Sequence, residues 1–356
     1  MRLDALGWND ELREAFAPHA AAGLVPARVA VEHKSRFGTY AEQGDVDAKL
    51  SGRLRHEAAS RLDLPAVGDW VALEEPAREA VGKIVAVLPR ASLFTRKAAG
   101  REHEAQIVAA NVDVVFIVTS LNDEFNARRL ERYLALAWES GARPVVVLSK
   151  ADVVADPEAR RQEVAAIALG VPVHLTSAKS GLGIQELRAH LTGHRTGALL
   201  GSSGVGKSTL INVLVGFERQ ATAEIRRSDA SGRHTTTRRE LVLLPGGGLL
   251  IDTPGMRELQ LADAAQGVLA TFEDVDALAA GCAFRDCTHG PEPDCAVKAA
   301  IAGGQLDPQR LQSYHKLVAE LARRERLVDQ RAAAQIKSRD KAAARALRNH
   351  VKKKRS

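Results

Sequence analysis

The sequence predicts an α/β protein built from a β-rich first segment, a parallel-sheet middle and a helical end. Three observations carry this. Short, partly alternating apolar runs recur from Val25 to Leu88. From Val112 onward, near-continuous apolar runs alternate with helical stretches. From about Ala265 three cysteines cluster, and then Ala, Arg, Lys, Glu and Leu dominate. At 356 residues the chain has room for two or three domains of about 100–200 residues each. The divisions fall at 1–98, 99–264 and 265–356.

In order, a helix is expected through Leu6, Leu12 and Phe16. Strands are expected at Val25–His33, Thr39–Gln43, Ala48–Arg55, Gly68–Glu74 and Val81–Leu88, with turns at Phe37-Gly38, Gly44-Asp45, Pro65 and Pro89. Several short strands at this spacing predict a small barrel or sandwich. Arg96–Arg101 reads as a linker. The run Val112–Val118 suits a strand covered on both faces. A helix at Ala127–Ser140 ends at Gly141, and a second buried strand occupies Pro144–Leu148. Strand and helix alternate to about residue 260, which argues for a parallel sheet. From Asp307 the chain is expected to be helical.

No apolar run approaches the roughly 20 residues that span a bilayer. Met1–Asp10 lacks the basic, apolar and small-residue regions of a signal peptide. A cytoplasmic location without membrane contact is therefore expected. The net charge of +6 and pI near 9.3 favour a polyanionic partner, nucleic acid first, over a merely solvated surface.

Gly201-Ser202-Ser203-Gly204-Val205-Gly206-Lys207-Ser208, followed by Thr209, fits the pattern of a phosphate-binding loop. A chance match in this length is about one in a hundred. Glycines let backbone N–H groups turn inward around an anion. The following helix adds its positive end. Lys207 is expected to reach the β- and γ-phosphates, and Ser208 to ligate Mg²⁺.

Leu249-Leu-Ile-Asp252-Thr-Pro-Gly255 reads as a strand ending in D-x-x-G. Asp252 would hold Mg²⁺ through a water, and the Gly255 N–H would meet the γ-phosphate. The pattern is weak alone and strong at this distance after a phosphate loop. A preceding strand, Leu241–Leu244, would join it through a Pro245–Gly248 hairpin turn. Ser149-Lys150-Ala151-Asp152 resembles the N-K-x-D guanine motif, with Ser149 in place of Asn. Asp152 can accept from guanine N1–H and N2–H₂, which adenine cannot reproduce. The stem of Lys150 can lie along the base. A hydroxyl is shorter than an amide, so Ser149 is expected to lose some bracing of the phosphate loop. Thr176-Ser177-Ala178-Lys179, after a strand at Pro172–Leu175, resembles the S-A-K loop that closes over guanine. Gly232-Arg-His234-Thr-Thr236-Thr237 lies where a switch loop supplies a threonine to Mg²⁺ and the γ-phosphate, and Thr236 is favoured. The plain alternative is a polar surface loop.

The order of these motifs is permuted. Base motifs come first and phosphate motifs follow, yet one site can form because a sheet is indifferent to where its chain is opened. The Asp252 switch then leads straight into the C-terminal segment, so γ-phosphate contacts could reposition it.

Cys282-x4-Cys287-x-His289-x5-Cys295 offers three thiolates and one imidazole, a set that suits a closed, structural Zn²⁺ site. An odd number of cysteines in fourteen residues is a poor disulfide framework.

Together the β-rich segment, the permuted motifs, Gly-Arg-His-Thr-Thr and the Cys-x4-Cys-x-His-x5-Cys pattern resemble the ribosome small-subunit-dependent GTPase A family, RsgA or YjeQ. The resemblance covers nearly the whole chain. It implies an N-terminal OB-fold barrel, a circularly permuted P-loop GTPase domain and a C-terminal zinc-binding helical domain. It also implies a monomer that exchanges GTP and GDP and binds the 30S subunit and its 16S rRNA. Slow GTP hydrolysis stimulated by the subunit, and late 30S maturation with release of ribosome-binding factor A, follow from the same likeness. An OB barrel suits the basic balance, being a common RNA-binding module. Met256 stands after Gly255, where many GTPases place a water-orienting Gln. The family's candidate for that role is the switch histidine, here His234, which completes a catalytic set with Lys207 and Thr236. Contact with rRNA or a loop cap are its other readings. Three other functions share part of the pattern. A large-subunit assembly GTPase explains neither barrel nor zinc cluster. A metabolic P-loop kinase has no need of Asp152. An RNA-binding adaptor with a degenerate nucleotide site is separated by a GTP turnover assay.

Overall fold

The structure is a computed structural model that describes residues 2–33, 36–75, 81–97, 105–121, 125–216, 239–252, 265–323 and 326. It divides into two compact units, residues 1–260 and 261–356.

The first unit opens with a single 3₁₀ turn, Leu3–Leu6, and helix α1, Asp10–Ala21, which Asn9 caps by accepting the Leu12 N–H. Trp8 packs edge-on against Phe16 and Trp70, at 5.8 and 4.7 Å, and so seats this segment on the strands behind it. Those strands are β1 (Val25–His33), β2 (Arg36–Ala41), β3 (Gly44–Leu50), β4 (Trp70–Glu74) and β5 (Gly82–Val87). They run in the order β1-β2-β3-β5-β4, and β4 returns to pair with β1. Closure leaves no open edge. Val29, Phe37, Ala48, Val71, Leu73 and Ile84 fill the interior. This is a five-stranded barrel of OB type, with β3 and β5 as its one parallel pair among the described residues.

Two expected details of the barrel are corrected. Phe37-Gly38 is no turn: Phe37 is a core residue inside β2, and the reversal from β1 to β2 falls earlier, between His33 and Arg36, while the turn expected at Gly44-Asp45 falls at Glu42-Gln43. The strand expected at Ala48–Arg55 stops at Leu50, because Ser51 accepts the Leu54 N–H at 3.1 Å and starts helix α2, Gly52–Glu57. The expected linker at Arg96–Arg101 also begins as a strand. β6 (Leu93–Lys97) pairs antiparallel with β7 (Ala105–Ala110), and the Arg96 guanidinium donates to Gln106.

The rest of this unit alternates as the apolar runs predict. β8 (Val114–Ser120), α3 (Ala127–Glu139), β9 (Arg143–Ser149), α4 (Pro157–Ile167), β10 (Val173–Leu175), α5 (Ile184–His190), β11 (Thr196–Leu200) and α6 (Lys207–Val215) precede the hairpin β12 (Glu240–Leu243) and β13 (Leu249–Asp252). The order β10-β9-β8-β11-β13 is parallel throughout, and β12 runs antiparallel to β13. Helix α3 ends where expected, at Gly141 in the left-handed region.

The two sheets are continuous. β12 pairs with β1 at Val31↔Glu240, so barrel and parallel sheet share one eleven-stranded sheet. Arg28 holds the same region from inside. It is 2% exposed, its guanidinium donates to the carbonyls of Leu6, Gly68 and Asn111, and burial lowers its pKa to about 10.

The second unit is helical at Ala265–Thr271, Glu273–Ala279, Ala296–Ala302 and residues 308–323. Val268, Phe272, Val275, Val297 and Leu306 are buried. Arg310 lies over the Phe272 ring at 4.3 Å and pairs with Asp274 at 3.0 Å. Among the described residues no helix is long and apolar enough to cross a membrane.

Candidate nucleotide and metal sites

The parallel strands bring their carboxyl ends to one edge, the usual place for a ligand in an α/β sheet. The turn from β11 into α6 is residues 201–206. Gly201 has φ 154°, and a Cβ there would lie 2.3 Å from the Val118 carbonyl oxygen, so only glycine passes. Gly206, with φ 96°, precedes the first turn of α6. Val205 is buried with Leu210 and Leu214 in the sheet's core, which anchors the loop from below. Lys207 folds back over it: Nζ donates to the carbonyl of Gly201 at 2.7 Å and to that of Ser202. Ser203, Gly204, Ser208 and Thr209 are exposed, and Ser202 is half-buried. An anion set in this loop would meet the Lys207 ammonium and the N-terminus of α6.

The base-side loops close on each other. Thr176 N donates to the Leu148 carbonyl at 2.8 Å, and Ala151 N donates to the Thr176 carbonyl at 3.0 Å. Ser177 is buried, and Ser180 N donates to its hydroxyl at 3.2 Å. The Ser177 hydroxyl also bonds the Asp152 carboxylate, and this contact above all holds the exposed Asp152 below the ordinary carboxylate range. Ala178 packs against the sheet's core.

Two bonds join the base loops to the phosphate loop. The buried Ser149 hydroxyl donates to the Val205 carbonyl at 2.6 Å. Lys150, whose backbone is left-handed at φ 59°, sends Nζ to the Gly204 carbonyl at 3.0 Å. The bracing expected to be lost with serine at position 149 is thus present, because the hydroxyl reaches the loop backbone directly.

Asp252 ends β13. The register Thr196↔Leu249 to Ala198↔Ile251 sets it beside Leu199, two residues short of the phosphate loop. Burial, then the Glu240 charge, raise its carboxyl above the ordinary range. A divalent cation is the neighbour that offsets such a cost, so the position fits Mg²⁺, with the exposed Ser208 as the hydroxyl ligand on the loop side. His234, Thr236 and Gly255 lie outside the described residues.

In the second unit, Cys282, Cys287, His289 and Cys295 bring their donor atoms within 4.8 Å of one another. Three thiolates about 2.3 Å and one imidazole about 2.0 Å from a tetrahedral centre require S···S edges of about 3.8 Å and S···N edges of about 3.5 Å. The structure has Cys282 Sγ to Cys295 Sγ at 3.9 Å, and His289 Nδ1 to the same sulfurs at 3.6 and 3.5 Å. Three of the donors thus span a metal-sized triangle, and the Cys287 sulfur lies within 4.8 Å of each.

Residues 87–262 match a family model described as RsgA GTPase. Small ribosomal subunit biogenesis GTPase RsgA of Opitutus terrae is 51% identical over 338 residues, which is 92% of each chain. The chain belongs to the RsgA GTPase family. It is accordingly a GTP-hydrolysing enzyme. The crystal structure of YjeQ from Thermotoga maritima superposes on this chain with a TM-score of 0.65 at 29% identity, covering 84% of this chain and 99% of that one. YloQ, described as a circularly permuted GTPase, matches in fold with a TM-score of 0.63 at 24% identity, over 85% of this chain and 96% of its own.

Two groups near these sites escape the RsgA sequence motifs. Arg129 of α3 donates from Nη1 to Ser202 Oγ in the phosphate loop at 2.8 Å. Its signal was its place, on the helix after a parallel strand, at the ligand edge of the sheet. Glu292 accepts from Thr288 N at 3.1 Å, Gly290 N at 2.8 Å and the Thr288 hydroxyl. Those bonds, the Thr288 hydroxyl first, lower its pKa to about 2. They clamp the turn that holds His289 at φ 59°.

Proposed function

We propose that this chain binds the 30S ribosomal subunit through 16S rRNA and hydrolyses GTP slowly until the subunit stimulates it. In doing so it assists late subunit maturation, including release of ribosome-binding factor A. The observation that carries the GTP half is the double tie from Ser149 and Lys150 to the phosphate loop, which supports reading base and phosphate motifs as one site despite their permuted order. The ribosomal half draws on the name of the Opitutus relative, the net charge of +6 and the OB-type barrel.

In this reading Asp152, Ser177 and Ala178 select guanine with Ser149, Lys150 and Ala151. Residues Gly201 to Thr209 and Gly255 hold the phosphates. Ser208, Thr236 and Asp252 would hold Mg²⁺, which would supply positive charge to offset that developing on the phosphates. Lys207 stands over the phosphates as a cation. His234 orients the attacking water in place of the Gln that Met256 displaces. The cysteine cluster takes one structural Zn²⁺. The protein acts as a cytoplasmic monomer, with domains at 1–98, 99–264 and 265–356.

The test is single-turnover GTP hydrolysis with and without 30S subunits. Stimulated turnover is expected in the wild-type protein, and His234→Ala should lose about 10²-fold of it while GTP affinity stays near normal. No stimulation by 30S subunits refutes the ribosomal reading. Equal stimulated rates in mutant and wild type refute the role of His234.

A further inference from the structure

Helix α3 aims an arginine at the phosphate loop. Asn126 caps the helix by accepting the Arg129 N–H at 3.0 Å, which fixes the first turn. From that turn the guanidinium reaches Ser202, 73 residues away in sequence. Tyr133, one turn further along the same face, brings its hydroxyl to 3.5 Å from the same Ser202 oxygen. On its backbone side Ser202 is gripped again, since its carbonyl receives the Lys207 ammonium. Two cations therefore converge on one residue of the loop.

Surface arginines commonly pair with a carboxylate one turn away on their own helix. Arg129 has Asn126, Arg132 and Tyr133 at those positions instead. Glu131, the acidic residue nearest to Arg129 in sequence, is 2% exposed and turned inward. The hydrogen bond described for the Arg129 side chain goes to a neutral hydroxyl, so its charge is not cancelled there. A guanidinium has five N–H donors and a planar fork suited to phosphate oxygens, so one bond to Ser202 leaves capacity for an anion.

We propose that Arg129 is a nucleotide-binding residue that adds positive charge at the terminal-phosphate end of the site and so favours GTP over GDP. This rests on residues 201–208 being the phosphate loop. The competing role is mechanical, a tether that only pins Ser202 to α3. Charge and tether separate by substitution. Arg129→Gln keeps an N–H donor and loses the charge, whereas Arg129→Lys keeps the charge.

The experiment is equilibrium binding of a non-hydrolysable GTP analogue and of GDP to the full-length protein with Mg²⁺, with melting curves for each variant. Arg129→Ala and Arg129→Gln should each bind the GTP analogue about tenfold more weakly, in keeping with loss of a charge-assisted contact. GDP should change less than about twofold by the same principle, and Arg129→Lys should stay near wild type. The GTP defect should narrow at high salt. Wild-type affinity in Arg129→Gln, or equal losses for both nucleotides, overturns the proposal. Lys207→Ala, measured alongside, distinguishes the two failures. If it leaves nucleotide binding intact, the phosphate-loop reading has failed. If it abolishes binding while Arg129→Ala changes nothing, only the arginine proposal has failed.

Discussion

Replacing Ser149 by alanine deletes one oxygen, yet that oxygen is a tie between the guanine loop and the phosphate loop. The Val205 carbonyl would lose its partner in a buried place, at a cost of about 1–3 kcal/mol. GTP affinity of Ser149→Ala should fall by about tenfold or more, and calorimetric titration would show it; unchanged affinity would mean that Lys150 alone carries the junction. Asp152 acts differently. Its Ser177 bond keeps the carboxylate ionised, ready to accept from two guanine donors. Asp152→Asn should weaken GTP and shift preference toward XTP, and a preference that stays put would refute the base-site assignment. Lys207 and Asp152 are candidates from the sequence alone because phosphate and guanine recognition require particular residue types at short, fixed spacings. The Ser149 bond could not, because it joins residues 56 apart and depends on which carbonyl the fold brings near.

At the scale of elements, hydrophobic pattern predicts strands better than their ends. The limits read from the sequence for β1, Val25–His33, are those of the strand, although residues 27–30 are all buried and do not alternate. In β2 a glycine beside Phe37 imitated a turn, and burial of the phenylalanine decided otherwise. The metal turns are the reverse case, with little apolar content and a local order that the ligands must impose. Structural sites of this kind contribute on the order of 10 kcal/mol to folding. Cys287→Ser, or chelation, should therefore release one Zn²⁺ per chain and loosen the helices between residues 265 and 323 while nucleotide binding persists. Glu292→Gln should weaken the metal by about tenfold, since it clamps the turn on both sides of His289. Competition with a chromogenic chelator measures both. A fully folded, metal-free protein would end the structural-metal reading, and wild-type affinity in Glu292→Gln would end the clamp.

For the molecule, the element that matters most is a single pairing with no sequence signature. Val31 of the barrel meets Glu240 of the hairpin, and the Tyr40 hydroxyl donates to the Leu241 carbonyl at 3.4 Å. Arg239 reinforces the seam by donating to the Ile107 carbonyl at 2.7 Å, with Glu32 at 3.9 Å. The hairpin partner of β12 is β13, which ends at Asp252, the proposed Mg²⁺ position. Barrel and nucleotide site thus share a sheet, and they should unfold together. The three tryptophans allow a direct measurement. Trp138 lies on α3, while Trp8 and Trp70 touch each other at the barrel. In a Trp138→Phe variant, fluorescence reports the barrel alone. A GTP analogue at 100 times its Kd adds about 2.7 kcal/mol to the stability of whatever unfolds with its site. For a cooperative unit of this size that is a rise of about 5–10 °C in Tm. The barrel signal should move by that amount, together with the far-ultraviolet transition of the sheet. A barrel transition that ignores the nucleotide while the sheet shifts would show that the Val31–Glu240 seam does not couple them, and that changes at the nucleotide site must reach the barrel by another route.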